Sequence, residues 1–298
     1  MSNLDYRALA VLDAVAASGS FDKAALALGI SQSAVSQRIK ALEDSAGRLL
    51  IVRGTPSVPT GLGQRLVAHF RHVQLMEAAL DIDLGRGDSL PALRVAVDGD
   101  SQASWFVQAL PALLVPARCQ LDVQLADGAN ALTLVREGAA FGCVADDSAG
   151  PSDAAQGTSA TPLGAQRYVC VATPTFAGHW FGDGFSAEAA ALAPGLSNGR
   201  GLLARFLART LDVHTACPRH LLEAPGALQV CLLSGAGYGM LPELLALAPL
   251  ASGQLVDVAP GQVLDVALSW HAWNIDTPFT RTLSEHVIAT ARRFLRQA

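Results

Sequence analysis

The sequence predicts an α/β protein in two parts: a helical N-terminal unit closed by a hairpin and a long helix, then a larger, two-lobed unit on a mostly parallel sheet. Three observations carry this expectation. Apolar residues recur at helical spacing through residues 5–43, a turn-rich β-like run follows, and from residue 91 short apolar strands alternate with helical segments. A chain of 298 residues also exceeds the roughly 100–200 residues of one ordinary domain.

In segment 5–17, Leu9, Leu12, Val15 and Ala16 share a helical face, and Ser18-Gly19-Ser20 interrupts it. Ser20 suits the N-cap of a second helix from Phe21 to Leu28, and Gly29 stands where such a helix stops. Ser31 can cap a third helix with Val35, Ile39 and Leu42 inward. LLIVRG and TPSVPT then read as a hairpin. A long helix is expected from about Thr60 to Leu84, with Leu62, Leu66, His69, Val73, Met76 and Leu80 forming a heptad-like seam that one helix cannot bury alone. Gly85-Arg86-Gly87-Asp88-Ser89 reads as a linker.

Beyond it, LRVAV is a strand running into Asp98-Gly99-Asp100-Ser101, and a helix is expected over about 103–114. CQLDVQL alternates as a strand, 129–137 reads as a helix, and FGCVA as another strand. This β-α-β repetition implies a parallel sheet covered by helices. The Pro/Gly/Ser-rich stretch 148–164 breaks the pattern, and RYVCVAT opens a second lobe. DVALSWHAW and a helix over 278–296 could return to the first lobe. The expected domains are 1–59, 60–87 and 88–298, with one lobe at about 91–163 plus 268–298 and the other at about 164–267.

Composition excludes several classes. Half the residues are apolar (51%) and 16% are charged, yet no run reaches the roughly 18–20 apolar residues of a membrane span. MSNLDYRALA lacks the basic and apolar regions of an export signal, so a cytoplasmic location is expected, with no membrane partner. Five cysteines (Cys119, Cys143, Cys170, Cys217, Cys231) form no C-x-x-C and read as small buried hydrophobes. His69 and His72 are too few for a metal site, and Gly235 to Gly239 lacks the strand-turn-helix setting of a phosphate loop. No G-x-S-x-G elbow occurs. No enzyme activity, cofactor or metal is therefore expected.

The net charge of −5 argues against nucleic acid until its distribution is read. Residues 31–71 hold Arg38, Lys40, Arg48, Arg53, Arg65 and Arg71 against Glu43 and Asp44, a local excess of four positive charges. Within SFDKAALALGISQSAVSQRIKALE, two short helices joined by a tight turn are held by Phe21, Ala24, Ala25, Leu28, Val35 and Ile39. The second helix then projects a polar face. Gln32, Ser33 and Ser36, with Gln37 beside them, are short enough to approach base edges in a major groove. Arg38, Lys40 and, on the hairpin, Arg53 suit phosphates. Taken alone, the same segment also fits an ordinary three-helix packing unit with a solvated face.

Residues 1–85 resemble the DNA-binding region of LysR-type transcriptional regulators, through that helix-turn-helix, the wing LLIVRGTPSVPT and the linker start GLGQRL. Within the family, LDYRALAVLDAV, QSAVSQRIKALE, VRGTPSVPTGLGQRL, VDGDSQASWFVQALPALL and ASGQLVDVAPG look closest to an ArgP/LysG-like branch, which senses basic amino acids and controls a lysine/arginine exporter. The resemblance implies a winged helix-turn-helix, a long linker helix and a two-lobed, periplasmic-binding-protein-like (type 2) effector domain. It implies double-stranded DNA carrying an inverted repeat as partner. It also implies a homodimer through 60–84 and a dimer of dimers.

It further implies an effector, lysine or arginine, in the cleft between the lobes. An α-carboxylate could sit on the helix amides near Ser101 to Ala103, and the side-chain cation needs a carboxylate or an aromatic face. Asp98, Asp100, Ser101, Trp105, Asp146 and Glu223 are the candidates. Each acidic residue could instead cap a helix or face solvent, and Trp105 could be core. A small-molecule binding protein with a different effector, its N-terminal helices serving assembly, is the alternative. Arg38→Ala or Arg53→Ala would separate the two, because only a regulator loses DNA binding.

Overall fold

The computed structural model describes residues 4–84, 92–115, 120–146, 157–214, 218–224 and 226–297. Its first three helices are α1 (Tyr6–Ser18), α2 (Phe21–Leu28) and α3 (Gln32–Ala46). Each begins on a side-chain cap: Asp5 accepts from the Arg7 and Ala8 amides, Ser20 from Lys23, and Ser31 from Ala34. Such caps contribute about 1 kcal/mol each. Leu9, Leu12, Val15, Ala24, Val35 and Ile39 are fully buried between the three helices. Leu28, expected in this core, is instead exposed, because α2 ends there and Ile30 packs inward after the turn.

The hairpin is β1 (Ile51–Val52) paired with β2 (Val58–Pro59). Its root is held by Glu43, whose Oε1 accepts from the Leu50 and Ile51 amides at 2.8 and 3.2 Å. Its tip lies on the α1–α2 turn, where the Ser57 amide donates to the Gly19 carbonyl at 2.8 Å. Gly19 has φ +64°, and a Cβ there would stand 2.9 Å from Pro56 Cβ. No larger residue fits that contact.

The long helix α4 (Gly61–Asp83) is present, but its six heptad positions do not form one open seam. Leu62 and Leu66 pack with Val67 and Phe70 against the N-terminal core. His69 meets the Tyr6 hydroxyl at 3.2 Å. Met76 and Leu80 remain exposed, at 49% and 57%. A second face of α4 lies on the larger domain. There Gln64 donates to Glu137 at 2.9 Å, the His72 ring lies 4.0 Å from that of Trp273, and Leu75 and Ala79 join the domain core.

The larger domain holds β3 (Ala92–Val97), α5 (Gly99–Ser104), α6 (Leu110–Leu114), β4 (Gln120–Leu125), α7 (Gly128–Arg136) and β5 (Gly142–Asp146). Then follow β6 (Thr158–Ala172), α8 (Pro174–Trp180), α9 (Ala187–Leu192), β7 (Gly195–Ser197), α10 (Leu202–Leu211), β8 (Arg219–Leu221) and α11 (Ala227–Leu233). The chain ends with β9 (Tyr238–Pro242), α12 (Glu243–Ala251), β10 (Val256–Asp257), β11 (Val263–Trp273) and α13 (Pro278–Phe294). One sheet runs β4-β3-β5-β11-β6-β9-β7-β8, with β10 on β6. Its two ends are parallel (β4-β3-β5 and β9-β7-β8), and the long antiparallel pair β6–β11 joins them. The register of that pair shifts between Leu268 and Ser269, so the sheet bends where one lobe gives way to the other.

Two expectations are corrected here. The helix expected over 103–114 starts at Gly99 and breaks into α5, a 3-10 turn (Phe106–Gln108) and α6, since Asp98 caps it early and Pro111 lacks an amide hydrogen. Residues 158–164, expected to break the pattern, are strand, because β11 pairs with β6 from Thr158 to Val169. The expected linker at 85–89, most of 148–164, Cys119 and Cys217 lie outside the described residues. Cys143 and Cys170 are buried as expected while Cys231 is only half-buried, and burial pushes the Cys143 thiol up to about 12. No helix among the described residues is long and apolar enough to cross a membrane.

Burial, with His69 and Arg71 nearby, lowers the His72 pKa to about 4. The unfolded chain, with its ordinary value of 6.5, therefore binds the proton first, and this residue's contribution falls as pH drops from about 6.5 toward 4. His72→Phe keeps a ring on Trp273 and cannot titrate. Urea unfolding at pH 7.5 and pH 5 should show a smaller acid loss in the variant; an equal loss would contradict the assignment.

Candidate nucleic-acid interface and ligand cleft

On α3, Gln32, Ser33, Ser36, Gln37 and Lys40 lie to one side of the buried Val35, Ile39 and Leu42, and Arg38 lies to the other. Gln32, Ser33, Gln37, Arg38 and Lys40 are exposed and Ser36 is half-buried. Gln32 Nε2 donates to Ser36 Oγ at 3.3 Å, and Ser33 meets Ser31 at 2.9 Å. Arg53 follows β1 of the hairpin, with its guanidinium 5.0 Å from the centre of the Phe21 ring. That stacking steers the cation without neutralising it. Of the six cations across 31–71, only Arg71 has a carboxylate partner among the described residues, Asp13 at 2.6 Å. The Glu43 carboxylate makes no ion pair with them among the described residues and accepts from the two amides at the hairpin root.

Between the lobes lies a cavity of about 590 Å³. Its floor is made where strands of both lobes end: β3 runs into Asp98 and Asp100, and β7 into Asn198, Gly199 and Arg200. Arg200, not anticipated, is the centre. Its Nη1 donates to Asp98 Oδ1 at 2.9 Å, to Asp100 Oδ2 at 3.1 Å and to the Tyr168 hydroxyl at 2.8 Å, and its Nη2 to Asp146 Oδ2 at 3.3 Å. Tyr168 and Asn198 also donate to Asp100. Burial works against the guanidinium charge, but Asp98, Tyr168, Asp100 and Asp146 outweigh it and hold the Arg200 pKa above its usual value. Burial, reinforced by Asp98, raises that of Asp100 despite Arg200, Asn198 and Tyr168.

Of the predicted effector residues, Asp98, Asp100 and Glu223 line this cavity, and Asp146 reaches it through Arg200. Two do not. Trp105 is wholly buried in the domain core, edge-on to Phe106, and its aromatic face is unavailable to a ligand. Ser101 is wholly buried, and its hydroxyl donates to Gln166 at 3.1 Å. Of the amides expected to hold a carboxylate, that of Ser101 donates to Asp98 Oδ1 at 3.1 Å and that of Gln102 to the Asp98 carbonyl at 2.9 Å. Sequence reasoning missed Asp127, Asn130 and Arg200. The run Asn198-Gly199-Arg200-Gly201, at the end of a strand and the start of a helix, mirrors the Asp98 loop and was the available signal.

An exposed polar helix beside an unpaired cationic wing, joined by a long helix to a two-lobed domain with a polar cleft, defines a ligand-responsive DNA-binding regulator. A family model described as a bacterial regulatory helix-turn-helix protein of the lysR family matches residues 6–64. The transcriptional regulator ArgP of Pseudomonas aeruginosa is 38% identical over 292 residues, 96% of each chain. The crystal structure of ArgP from Mycobacterium tuberculosis superposes with a TM-score of 0.88 at 35% identity, covering 99% of this chain and 100% of that one. Full-length LysG from Corynebacterium glutamicum, solved with its effector arginine bound, gives 0.80 at 28% identity, with coverage of 99% and 100%.

The chain belongs to the LysR family of transcriptional regulators and is similar along nearly its whole length to the ArgP and LysG members. It is a sequence-specific DNA-binding protein and not an enzyme.

Removing one phosphate-binding cation should weaken binding on all sequences alike and lower the salt dependence by about one ion. Arg53→Ala and Lys40→Ala are expected to show this in fluorescence-anisotropy titrations at several salt concentrations. Gln32→Ala should instead blur the preference between a selected duplex and its point variants. Unchanged salt slopes for both cation variants would remove these residues from the interface.

Proposed function

We propose that this regulator responds to a basic amino acid, arginine or lysine, bound in the cleft between its lobes. The observation that carries this is the charge of the cavity lining: among the described residues, Asp98, Asp100, Asp127 and Glu223 stand against Arg200. Such a surface favours a ligand with one carboxylate and two cationic groups. Arg200 would take the α-carboxylate, Asp100 the α-ammonium, and Asp127 with Glu223 the distal cation. Leu125, Leu241 and Leu245 would flank the aliphatic stem. The volume is ordinary for a small-ligand site. The arginine-bound LysG relative supports the same choice of ligand.

The domains are proposed as 1–59 for DNA, 60–87 for the linker and 88–298 for the effector. The exposed Met76 and Leu80 on α4 are proposed to pair two chains, so that two reading heads meet the half-sites of an inverted repeat. Control of amino-acid export genes follows from the ArgP and LysG resemblance.

Calorimetry of the full chain should detect saturable binding of arginine or lysine and none of leucine. Arg200→Ala and Asp127→Asn should each weaken it roughly tenfold or more, the range of a lost charge-assisted hydrogen bond. Equal binding of leucine would overturn the reading. Since the Asp100 pKa is raised, affinity should start to fall on acidification earlier than an ordinary carboxylate dictates. Asp100→Asn should flatten that slope; a profile identical to wild type would remove Asp100 from the ligand.

A further inference from the structure

One helix touches both the cleft and the DNA-binding arm. Asn130, Thr133 and Leu134, on one face of α7, line the cavity. Ala131, Leu132 and Val135, on another, are buried in a small core against β3 and β5. Past its end, Glu137 accepts from Gln64 of α4 at 2.9 Å. Gly138 follows with φ +64° and lies so close to α4 that a Cβ would stand 2.6 Å from Ala68 Cα. Trp273, at the end of β11, closes the joint: its Nε1 donates to the Val135 carbonyl at 2.7 Å, and its ring lies 4.0 Å from that of His72.

We infer that α7 is the element through which the state of the cleft is read by α4. It is nine residues long, so a shift at its cavity face cannot be absorbed within it before reaching Gly138. Nor can the joint yield, since a Cβ on Gly138 would meet both Cα and Cβ of Ala68, and neither residue has a flexible side chain. A ligand that draws Asn130 or Thr133 toward the opposite lobe therefore moves the joint and re-aims α4. Gln64 and Trp273 position this joint; neither lines the cavity nor belongs to the reading face. The inference rests on the reading above that the effector occupies the cleft. It identifies the path, which that reading does not.

Coupling between two sites is reciprocal, so DNA binding must act on α7 as the effector acts on α4. The test uses the full chain and a duplex selected by the wild-type protein from a random pool. Amide hydrogen exchange over 128–137 is compared with and without duplex, in wild type, Gln64→Ala and Trp273→Phe. In the wild type the duplex should change exchange there by about fivefold, the lower end of ordinary coupling. Both variants should bind duplex within about twofold of wild type, by the same reasoning, yet lose most of that response. No response in the wild type, or an undiminished one in both variants, would overturn the inference. The readout needs no arginine, so a wild type that ignores arginine but responds to duplex overturns only the effector reading.

Discussion

The ion cluster at Arg200 is the contact on which the sensor half depends. A buried guanidinium is tolerable only when its hydrogen bonds and charge are answered, and here three carboxylates and a phenol answer it. Those partners come from the loop after β3 and from α5, β5 and β6, while Arg200 comes from the loop before α10. The cluster therefore ties one lobe to the other across the floor of the cleft.

The DNA-binding half is rigid for a different reason. Its helices are short, and capped starts and tight turns fix their directions before packing begins. Glu43 then locks the hairpin root to α3, so the wing cannot move independently of the reading helix. Arg53 is aimed by its stack on Phe21 rather than by a counter-ion, which leaves its charge for phosphate. A rigid head gains regulation only if something turns it as a unit. That task falls to α4.

What was legible in the sequence follows from how local each signal is. The caps Ser20 and Ser31, the stop at Gly29 and the polar row on α3 are set within a few residues, and they are where the sequence indicated. The cleft is assembled from residues about a hundred positions apart, as Asp98 and Arg200 are. Asp98 and Asp100 were legible as a strand-end loop, but their partner was not, so the α5 amides looked free when Asp98 itself had taken them. Trp105 was misjudged for the same reason. An aromatic beside a functional loop can point to core or to ligand, and only the packing of Phe106 and the lobe around it decides.

The linker helix carries the same lesson into mechanism. Read as a heptad repeat, α4 has one purpose, which is to meet another copy of itself. In three dimensions its residues are divided among several surfaces. Leu62, Leu66 and Phe70 belong to the DNA-binding core, Gln64, Ala68, His72, Leu75 and Ala79 to the sensor, and Met76 and Leu80 face outward. A helix committed at its first turns to one domain and along its length to another cannot rotate without straining a packed contact. Its position is thus a compromise between two rigid bodies. A small change in either one shifts that compromise, which is the condition under which a ligand in a cleft can alter how a distant helix meets DNA.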